Sequence, residues 1–385
     1  MNSDAYFGFI QDSKSVIAKK STDNKLNIVS KSELFSRLFS AGDRDYIVSV
    51  LQKSLENLHD NLMDFECKFS SKNGAKIYWA VDYDDVLNGL HTIISKRKVK
   101  TINYHSDYLY EEVGLEDFFK KEKLKYSDIA DMQFIKADRL ICDMGSILIF
   151  DKDMSVAERL NNGSINVFIV GIEQLISSMA DAELYSMLMF STAKKDYNST
   201  IFYRPLVRDN DFLFIVDNGR STMLSMQKQR IALTCLHCGE CKKVCPVYNI
   251  VGDKPYNNVF TGPIANVILP FFETVESYKH VSYACLMCGN CEKVCTVSIP
   301  IKDLIIENRI YFRENKYVDS IDNKRYSTYK KNIVSRSKMN KSKLFRCAAL
   351  KKFLGKSFCK KRKMPLLESI PFNKQYIKKN QNNVR

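Results

Sequence analysis

Between residues 31 and 66 apolar side chains return every three or four positions: Leu34, Leu38, Ile47, Val50, Leu51, Leu55, Leu58, Leu62 and Phe65. That period puts them on one face of a helix, so segment 1–69 is expected to be helical and to pack on the domain C-terminal to it. The pattern then changes. Lys76 to Ala80 is a short strand-like run, and Val86, Leu90, Ile93 and Ile94 form a helical stripe within Asp82 to Lys96. A short strand is expected from Thr101 to Tyr104. Three further apolar runs, at 146–150, 165–170 and 212–216, show little polar alternation, as strands covered by helices on both faces do. Gly171, Gly219 and the Asp217-Asn218 pair supply turn chemistry at strand ends. Residues 70–220 therefore read as an α/β domain with an open, largely parallel sheet. Beyond it, Ser221 is placed to cap a helix running toward Ala232, and Pro263 and Pro300 suit first-turn positions. Ile301, Leu304, Ile305, Ile306 and Ile310 mark a helix over 301–312. Residues 221–316 thus read as a smaller, mostly helical domain.

That second domain holds the chain's clearest chemistry. Cys235, Cys238, Cys241 and Cys245 repeat the spacing of Cys285, Cys288, Cys291 and Cys295. Each run is C-x2-C-x2-C-x3-C, which sets four soft thiolates for an iron–sulfur cubane, and in two-cluster arrangements the fourth cysteine of each run ligates the other cluster. Two [4Fe-4S] clusters are expected, one on Cys235, Cys238, Cys241 and Cys295, the other on Cys285, Cys288, Cys291 and Cys245. Zinc ribbons use C-x2-C pairs on longer spacers and do not need this compact form twice. Gly239 and Gly289 lie between the second and third cysteines, where a missing β-carbon would let backbone N–H groups approach sulfur. Pro246 follows the first run and Thr296 the second, a difference that leaves every ligand in place.

Ligating thiolates imply a reducing compartment, so a cytoplasmic setting is expected. Met1 to Ile10 offers no signal-peptide pattern, and no apolar run is long enough to span a bilayer. The formal charge of +15 over 385 residues is uneven: residues 321–385 hold 20 Lys or Arg against Asp322 and Glu368, a net of +18, leaving the first 320 residues at −3. The basic segment 317–385 reads as a poorly ordered, solvated extension. Its alternatives are docking to an acidic protein or redox partner, or peripheral attachment to an anionic membrane surface. No nucleic-acid recognition module accompanies the charge.

Outside the clusters, Arg220 follows a strand-end turn, where α/β folds place ligand-binding groups; the competing reading is a salt bridge between the two domains. Asp217 and Asn218 read as turn formers. His237, inside the first cysteine loop, reads as a solvated loop residue, with contact to cluster sulfur or a redox partner as the alternative. Asp143 with Gly145 is a candidate remnant of a substrate pocket. His91 and His105 have no ligand companion nearby, Cys67 and Cys142 belong to no regular spacing, and Cys347 and Cys359 read as free thiols. No G-x-G-x-x-G or Walker segment is present, so an intrinsic nucleotide or flavin site has no support. No catalytic residue is assigned.

Val216-Asp217-Asn218-Gly219-Arg220-Ser221, Cys245-Pro246-Val247-Tyr248, Gly262-Pro263-Ile264 and Ile299-Pro300-Ile301 surround these cysteines in an order that resembles the lactate-utilisation iron-sulfur protein B family. The resemblance extends upstream through Asn73-Gly74-Ala75-Lys76, Trp79-Ala80, Glu111-Glu112-Val113-Gly114-Leu115 and Val170-Gly171-Ile172-Glu173, and covers roughly residues 40 to 316. It implies a LUD domain of the NagB/RpiA/CoA-transferase-like type followed by a dicluster ferredoxin domain. It also implies a place in a complex that oxidises L-lactate, or a related 2-hydroxyacid, alongside a CCG-domain protein and a second LUD protein. The family pattern differs at Asn103 to Ser106, Tyr126 to Lys136, Asp143 to Ser146 and Lys152 to Arg159, where a shortened sheet is expected. A second reading arises from those differences: a noncatalytic dicluster ferredoxin-like carrier or scaffold with a degenerate LUD domain.

Overall fold

In a computed structural model of the chain, residues 41–70, 76–151, 156, 159–160, 164–192, 199–203, 210–361, 366–372 and 374–377 are described. The predicted helix before Ala41, the Asn73-Gly74-Ala75 motif and most of 152–159 lie outside them. The described chain divides into two compact units, one ending at Arg309 and the other beginning at Ile310.

In the first unit the apolar stripe of the N-terminal segment becomes two helices, Ala41–Glu56 and Leu58–Ser70. The parallel sheet takes β1 (Lys76–Ala80), β2 (Thr101–Asn103), β3 (Lys125–Tyr126), β4 (Met132–Phe134), β7 (Ile165–Gly171) and β10 (Asp211–Val216), in the order β1-β10-β7-β4-β2-β3. Every pairing in it is parallel. β7 and β10 are buried along their whole length, which is why their sequences run apolar without alternation. Helix Tyr83–Arg97 packs Val86, Leu90, Ile93 and Ile94 against this sheet, its first turn held by Asp82, whose side chain accepts from the Asp85 N–H.

The run at 146–150 has a different place from the one expected. β6 (Ser146–Asp151) lies in a second sheet of four strands, with β5 (Arg139–Ile141), β8 (Leu175–Ile176) and β9 (Ser199–Tyr203), in the order β8-β5-β6-β9. β6 is antiparallel to both its neighbours. This sheet and the outer face of β7 and β10 share a core of Phe65, Phe69, Leu140, Ile147, Ile149, Phe168 and Leu213. Burial on both faces removed the alternation that would have marked β6 as antiparallel.

Helical structure returns after β10, in shorter pieces than expected. Helix Arg220–Ser225 stops at Met226, whose backbone is extended, and a 3-10 turn, Gln229–Thr234, completes the stretch. Ser221 is not the cap. Gly219 holds the cap position, and the Asp217 carboxylate before it accepts from the Ser221 N–H at 2.6 Å and from the Ser221 hydroxyl at 2.5 Å. Helices Ala265–Phe272, Val275–Tyr283 and Ile301–Glu314 surround the two cysteine loops.

In the second unit, the segment expected as a poorly ordered extension forms helices Ser320–Ile333, Arg336–Met339 and Lys343–Lys361. The first and last of these pack together. Their dispersed apolar residues gather around a cavity of about 500 Å³ lined by Tyr329, Phe345, Leu350, Leu367 and Phe372, with Arg336, Lys338 and Arg346 among its walls. Among the described residues no helix is long and apolar enough to cross a membrane.

Candidate redox site

All strands of the first sheet run the same way, so the segments leaving β2, β4, β7 and β10 emerge at one edge. In open α/β sheets that carboxyl edge is where ligand groups collect. Glu112 comes from the segment after β2, Glu173 from that after β7 and Arg220 from that after β10. Arg220 is fully buried. Its guanidinium meets Glu112 through two parallel contacts of 2.9 and 2.8 Å, meets Glu173 at 2.7 Å, and lies 4.7 Å over the Phe272 ring of the helical region. The ion pair is therefore not the interdomain bridge expected: it lies within the α/β domain, where it ties strand ends together, and Arg220 meets the helical region only over the Phe272 ring. Asn218 joins the same group, donating to Glu112 at 2.6 Å. The two carboxylates hold the guanidinium charged against the cost of burial, keeping it well above its ordinary range.

Gly171 is the tight point of this network. A β-carbon there would overlap the Glu173 carboxylate and come within 2.6 Å of Arg220 Nε. Gly171→Ala is expected to destabilise the protein by about 1–3 kcal/mol by forcing that pair apart. The shift of the urea midpoint measures it, and an unchanged midpoint would mean the pair relocates freely.

The cysteine loops are structural copies. His237 and Met287 take left-handed backbone conformations, φ 50° and 60°, and so do Gly239 and Gly289, φ 75° and 74°. The His237 and Met287 N–H groups donate to Cys235 Sγ at 3.4 Å and Cys285 Sγ at 3.3 Å. Among the protein atoms, a β-carbon on Gly239 would meet nothing within 4 Å, so packing is not what requires glycine there. The left-handed φ of both glycines is what an L side chain would oppose. Tyr248 and Ile299 donate backbone N–H bonds to Cys245 and Cys295 at 3.4 and 3.3 Å. Arg309 fixes the entry to the second loop, donating to the carbonyls of Ser282 and Cys285.

Burial raises the Cys235 thiol well above its ordinary value, and Cys241, Cys238 and Cys295 add to the rise. Cys241 is pushed up to about 12 by burial, with Cys238 and Cys295 adding to it. Cys245 is raised by burial and then by Cys285 and Cys288, and Cys291 is pushed up to about 12 by burial, then by Cys285, with Glu292 and Cys245 contributing. Cys238 and Cys295 thus act on both Cys235 and Cys241, while Cys245 feels Cys285 and Cys288, and Cys291 feels Cys285 and Cys245. Cys235, Cys238, Cys241 and Cys295 line a cavity of about 120 Å³ with Ile264, Val297 and Ile299. Among the described residues no three His, Cys, Asp or Glu side chains converge on one ion-sized point. The thiols instead stand around a shared space, and a donor set of soft, desolvated sulfurs suits iron in a cluster.

A larger cavity, about 460 Å³, opens between the sheet edge and the first loop. Ser106, Asp107, Tyr108 and Glu111 line it from the β2 side, Lys136, Asp138 and Arg139 from the β4 side, and Glu173 and Gln174 from the β7 side. Cys235, His237 and Cys238 form its far wall. Tyr108 and His237 line both cavities. Their rings stack at 4.1 Å between centroids, with Phe260 5.5 Å from His237. His237 is therefore a half-buried packed ring and not a solvated loop residue; burial first, then the Arg220 and Arg139 guanidiniums, push its pKa down to about 3.

The remaining candidates lie elsewhere. Asp143 accepts from the Met179 N–H at 3.1 Å in the turn between β5 and β6, and Gly145 packs on Lys68, so neither belongs to the 460 Å³ cavity. His91 contacts Glu122 at 3.0 Å, and His105 is exposed. Cys142 is buried and Cys67 exposed; Cys347 is half-buried, and the Cys359 side chain lies outside the described residues. Tyr108, Lys136 and Arg139 were missed by sequence reasoning because they come from separate segments with no motif in common.

Residues 231–299 match the model of a 4Fe-4S dicluster domain. The chain is similar to lactate utilization protein B of Macrococcus caseolyticus, 30% identical over 238 residues that make up 59% of this chain and 49% of that protein. It is 31% identical to the Geobacillus kaustophilus protein of the same name over 198 residues, 49% of this chain and 41% of the relative. A longer alignment, 331 residues at 27% identity, covers 68% of this chain and 69% of lactate utilization protein B from Bacillus thuringiensis. The chain spans about half the length of the first of these curated relatives. No solved structure matches. The dicluster domain binds two [4Fe-4S] clusters, and the chain that carries it is similar to these proteins named lactate utilization protein B.

Proposed function

We propose that this chain is the iron–sulfur electron-transfer subunit of a complex that oxidises L-lactate, or a related 2-hydroxyacid, to the 2-oxoacid, and is not a catalyst alone. In this reading Cys235, Cys238, Cys241 and Cys295 hold one cluster, and Cys285, Cys288, Cys291 and Cys245 the other. The observation that carries the reading is the grouping of thiols across the two loops, with one group standing behind the wall of a cavity large enough for a small substrate. Bound there, the clusters supply two one-electron sites in one small domain. The protein's own part is to bury the thiols, aim backbone N–H groups at four of the sulfurs, and close water out with Ile264, Val297 and Ile299.

The relatives' name supports lactate as the substrate class. The parallel sheet with its cavity at the carboxyl edge supports a LUD domain of NagB/RpiA/CoA-transferase-like type. A CCG-domain protein and a second LUD protein are the proposed partners, in a reducing, cytoplasmic setting. The basic unit, with Arg336, Lys338 and Arg346 around its cavity, suits an acidic surface of such a partner or an anionic membrane face.

The protein purified anaerobically with its native partners is expected to carry about eight iron and eight acid-labile sulfide per chain, and its clusters to be reduced on adding L-lactate. Full iron occupancy with no reduction by any 2-hydroxyacid in the assembled complex would establish the carrier-or-scaffold reading instead. Bound zinc in place of iron would remove both readings.

A further inference from the structure

The 460 Å³ cavity contains a buried guanidinium that the fold supports with Asp138 and Tyr185 but gives no carboxylate in direct contact. Arg139 is 4% exposed. Its Nη1 donates to the Glu173 carbonyl at 3.2 Å, one face of the guanidinium lies 4.9 Å from the Tyr185 ring, and its Nε has no hydrogen-bond partner. Among the described residues no carboxylate stands within ion-pairing distance of it.

The carboxylates around the cavity are engaged elsewhere. Asp107 pairs with Lys136 at 2.6 Å, Glu111 accepts from Ser106, Asp138 accepts from the Tyr185 hydroxyl at 2.7 Å, and Glu173 pairs with Arg220. Arg220 shows what the same fold does with a buried guanidinium that serves structure: it supplies two carboxylates. Arg139 receives none in contact, only the longer-range charge of Asp138. A buried guanidinium stays protonated, and burying it without a carboxylate in contact is costly, so its unpartnered Nε on a cavity wall points to an anion arriving from outside.

We propose that this cavity is a binding site for a small monocarboxylate, with Arg139 as its anchor and the stacked Tyr108–His237 pair on the side of the cavity that also carries Cys235 and Cys238. A guanidinium fork matches a carboxylate in shape as well as charge. The four carboxylates around the cavity disfavour a dianion such as phosphate. The cavity volume falls within the range of small-molecule sites, and its polar rim of Ser106, Lys136 and Gln174 suits a hydroxyl or keto group beside the carboxylate. The choice of 2-hydroxy and 2-oxo acids as ligands rests on the electron-transfer function proposed for the chain; the anion site rests on Arg139.

The test is calorimetric titration of the full-length, anaerobically purified holoprotein with pyruvate, L-lactate and, as the uncharged counterpart, lactamide. Pyruvate or L-lactate is expected to bind one per chain, and lactamide at least about tenfold more weakly, because the guanidinium loses its counter-charge. Arg139→Gln is expected to weaken carboxylate binding by about tenfold or more, with Arg139→Lys intermediate. Ser106→Trp, at an exposed position on the cavity wall, guards against a folding artefact: it is expected to block binding while the melting temperature stays at the wild-type value. Carboxylate binding that survives Arg139→Gln in a folded protein, or Ser106→Trp, would overturn the proposal. So would a holoprotein with full iron that binds neither acid, which leaves the electron-transfer reading standing. Loss of iron with carboxylate binding intact has the opposite meaning, supporting the anion site while removing the cluster assignment.

Discussion

Replacing Cys295 by Ala is expected to remove the cluster assigned to Cys235, Cys238 and Cys241, or to convert it to a three-iron form, while the cluster assigned to Cys285, Cys288, Cys291 and Cys245 persists. Sequence proximity would suggest the reverse, since Cys295 is four residues from Cys291 and 54 from Cys241. The fold places Cys295 in the wall of the 120 Å³ cavity with the first three cysteines, and its charge acts on Cys235 and Cys241. Iron is expected to fall from about eight to between four and seven per chain. Electron paramagnetic resonance of the reduced protein should show one reduced-cluster signal unchanged and the magnetic coupling between clusters abolished. Cys245→Ala is the mirror experiment, expected to spare the first site. Selective loss of the second site in Cys295→Ala would reverse the wiring, and loss of neither would show that Cys295 ligates nothing.

The second large effect concerns stability. Among the described residues, Arg220→Met removes the only positive charge in ion-pair contact with Glu112 and Glu173, whose side chains are 8% and 6% exposed. Breaking a buried ion pair by deleting one member costs about 3–5 kcal/mol because the partner charge stays behind. Two carboxylates stay behind here, so the upper part of that range is expected. Arg220→Lys keeps the charge but lacks the planar fork that meets both Glu112 oxygens, and should recover less than half. Trp79, the sole tryptophan, lies in β1 beside β10 and reports unfolding of this sheet by fluorescence in urea. A loss under about 1 kcal/mol would place the network among ion pairs of surface strength.

How much of the fold could be read from the sequence depends on how local each signal is. The cysteine spacing is written within eleven residues in each run, and β7 and β10 declare themselves by continuous apolar character. β6 looked the same as these two, because a strand buried on both faces carries no trace of its partner's direction. Its partners β5 and β9 are set by pairing across distant segments. Ser221 satisfied a capping rule, yet Gly219 holds the cap position and Asp217 bonds both the N–H and the hydroxyl of Ser221. The cavity was invisible for a related reason: Tyr108, Lys136, Arg139, Glu173 and His237 are united only when parallel strands bring their ends to one edge. The basic C-terminal segment misled by composition, since Phe345, Leu350, Leu367 and Phe372 are too scattered to register as a run.

The common direction of β2, β4, β7 and β10 has a bearing on how such a protein can change. Each delivers a different segment to the same edge, while the second cysteine loop is held by Arg309 through the carbonyls of Ser282 and Cys285. A substitution at Ser106, Lys136 or Gln174 can therefore alter what the edge accepts without displacing a single sulfur. If the cavity takes an organic acid as proposed, its preference would rest on segments separate from those that hold the cysteines.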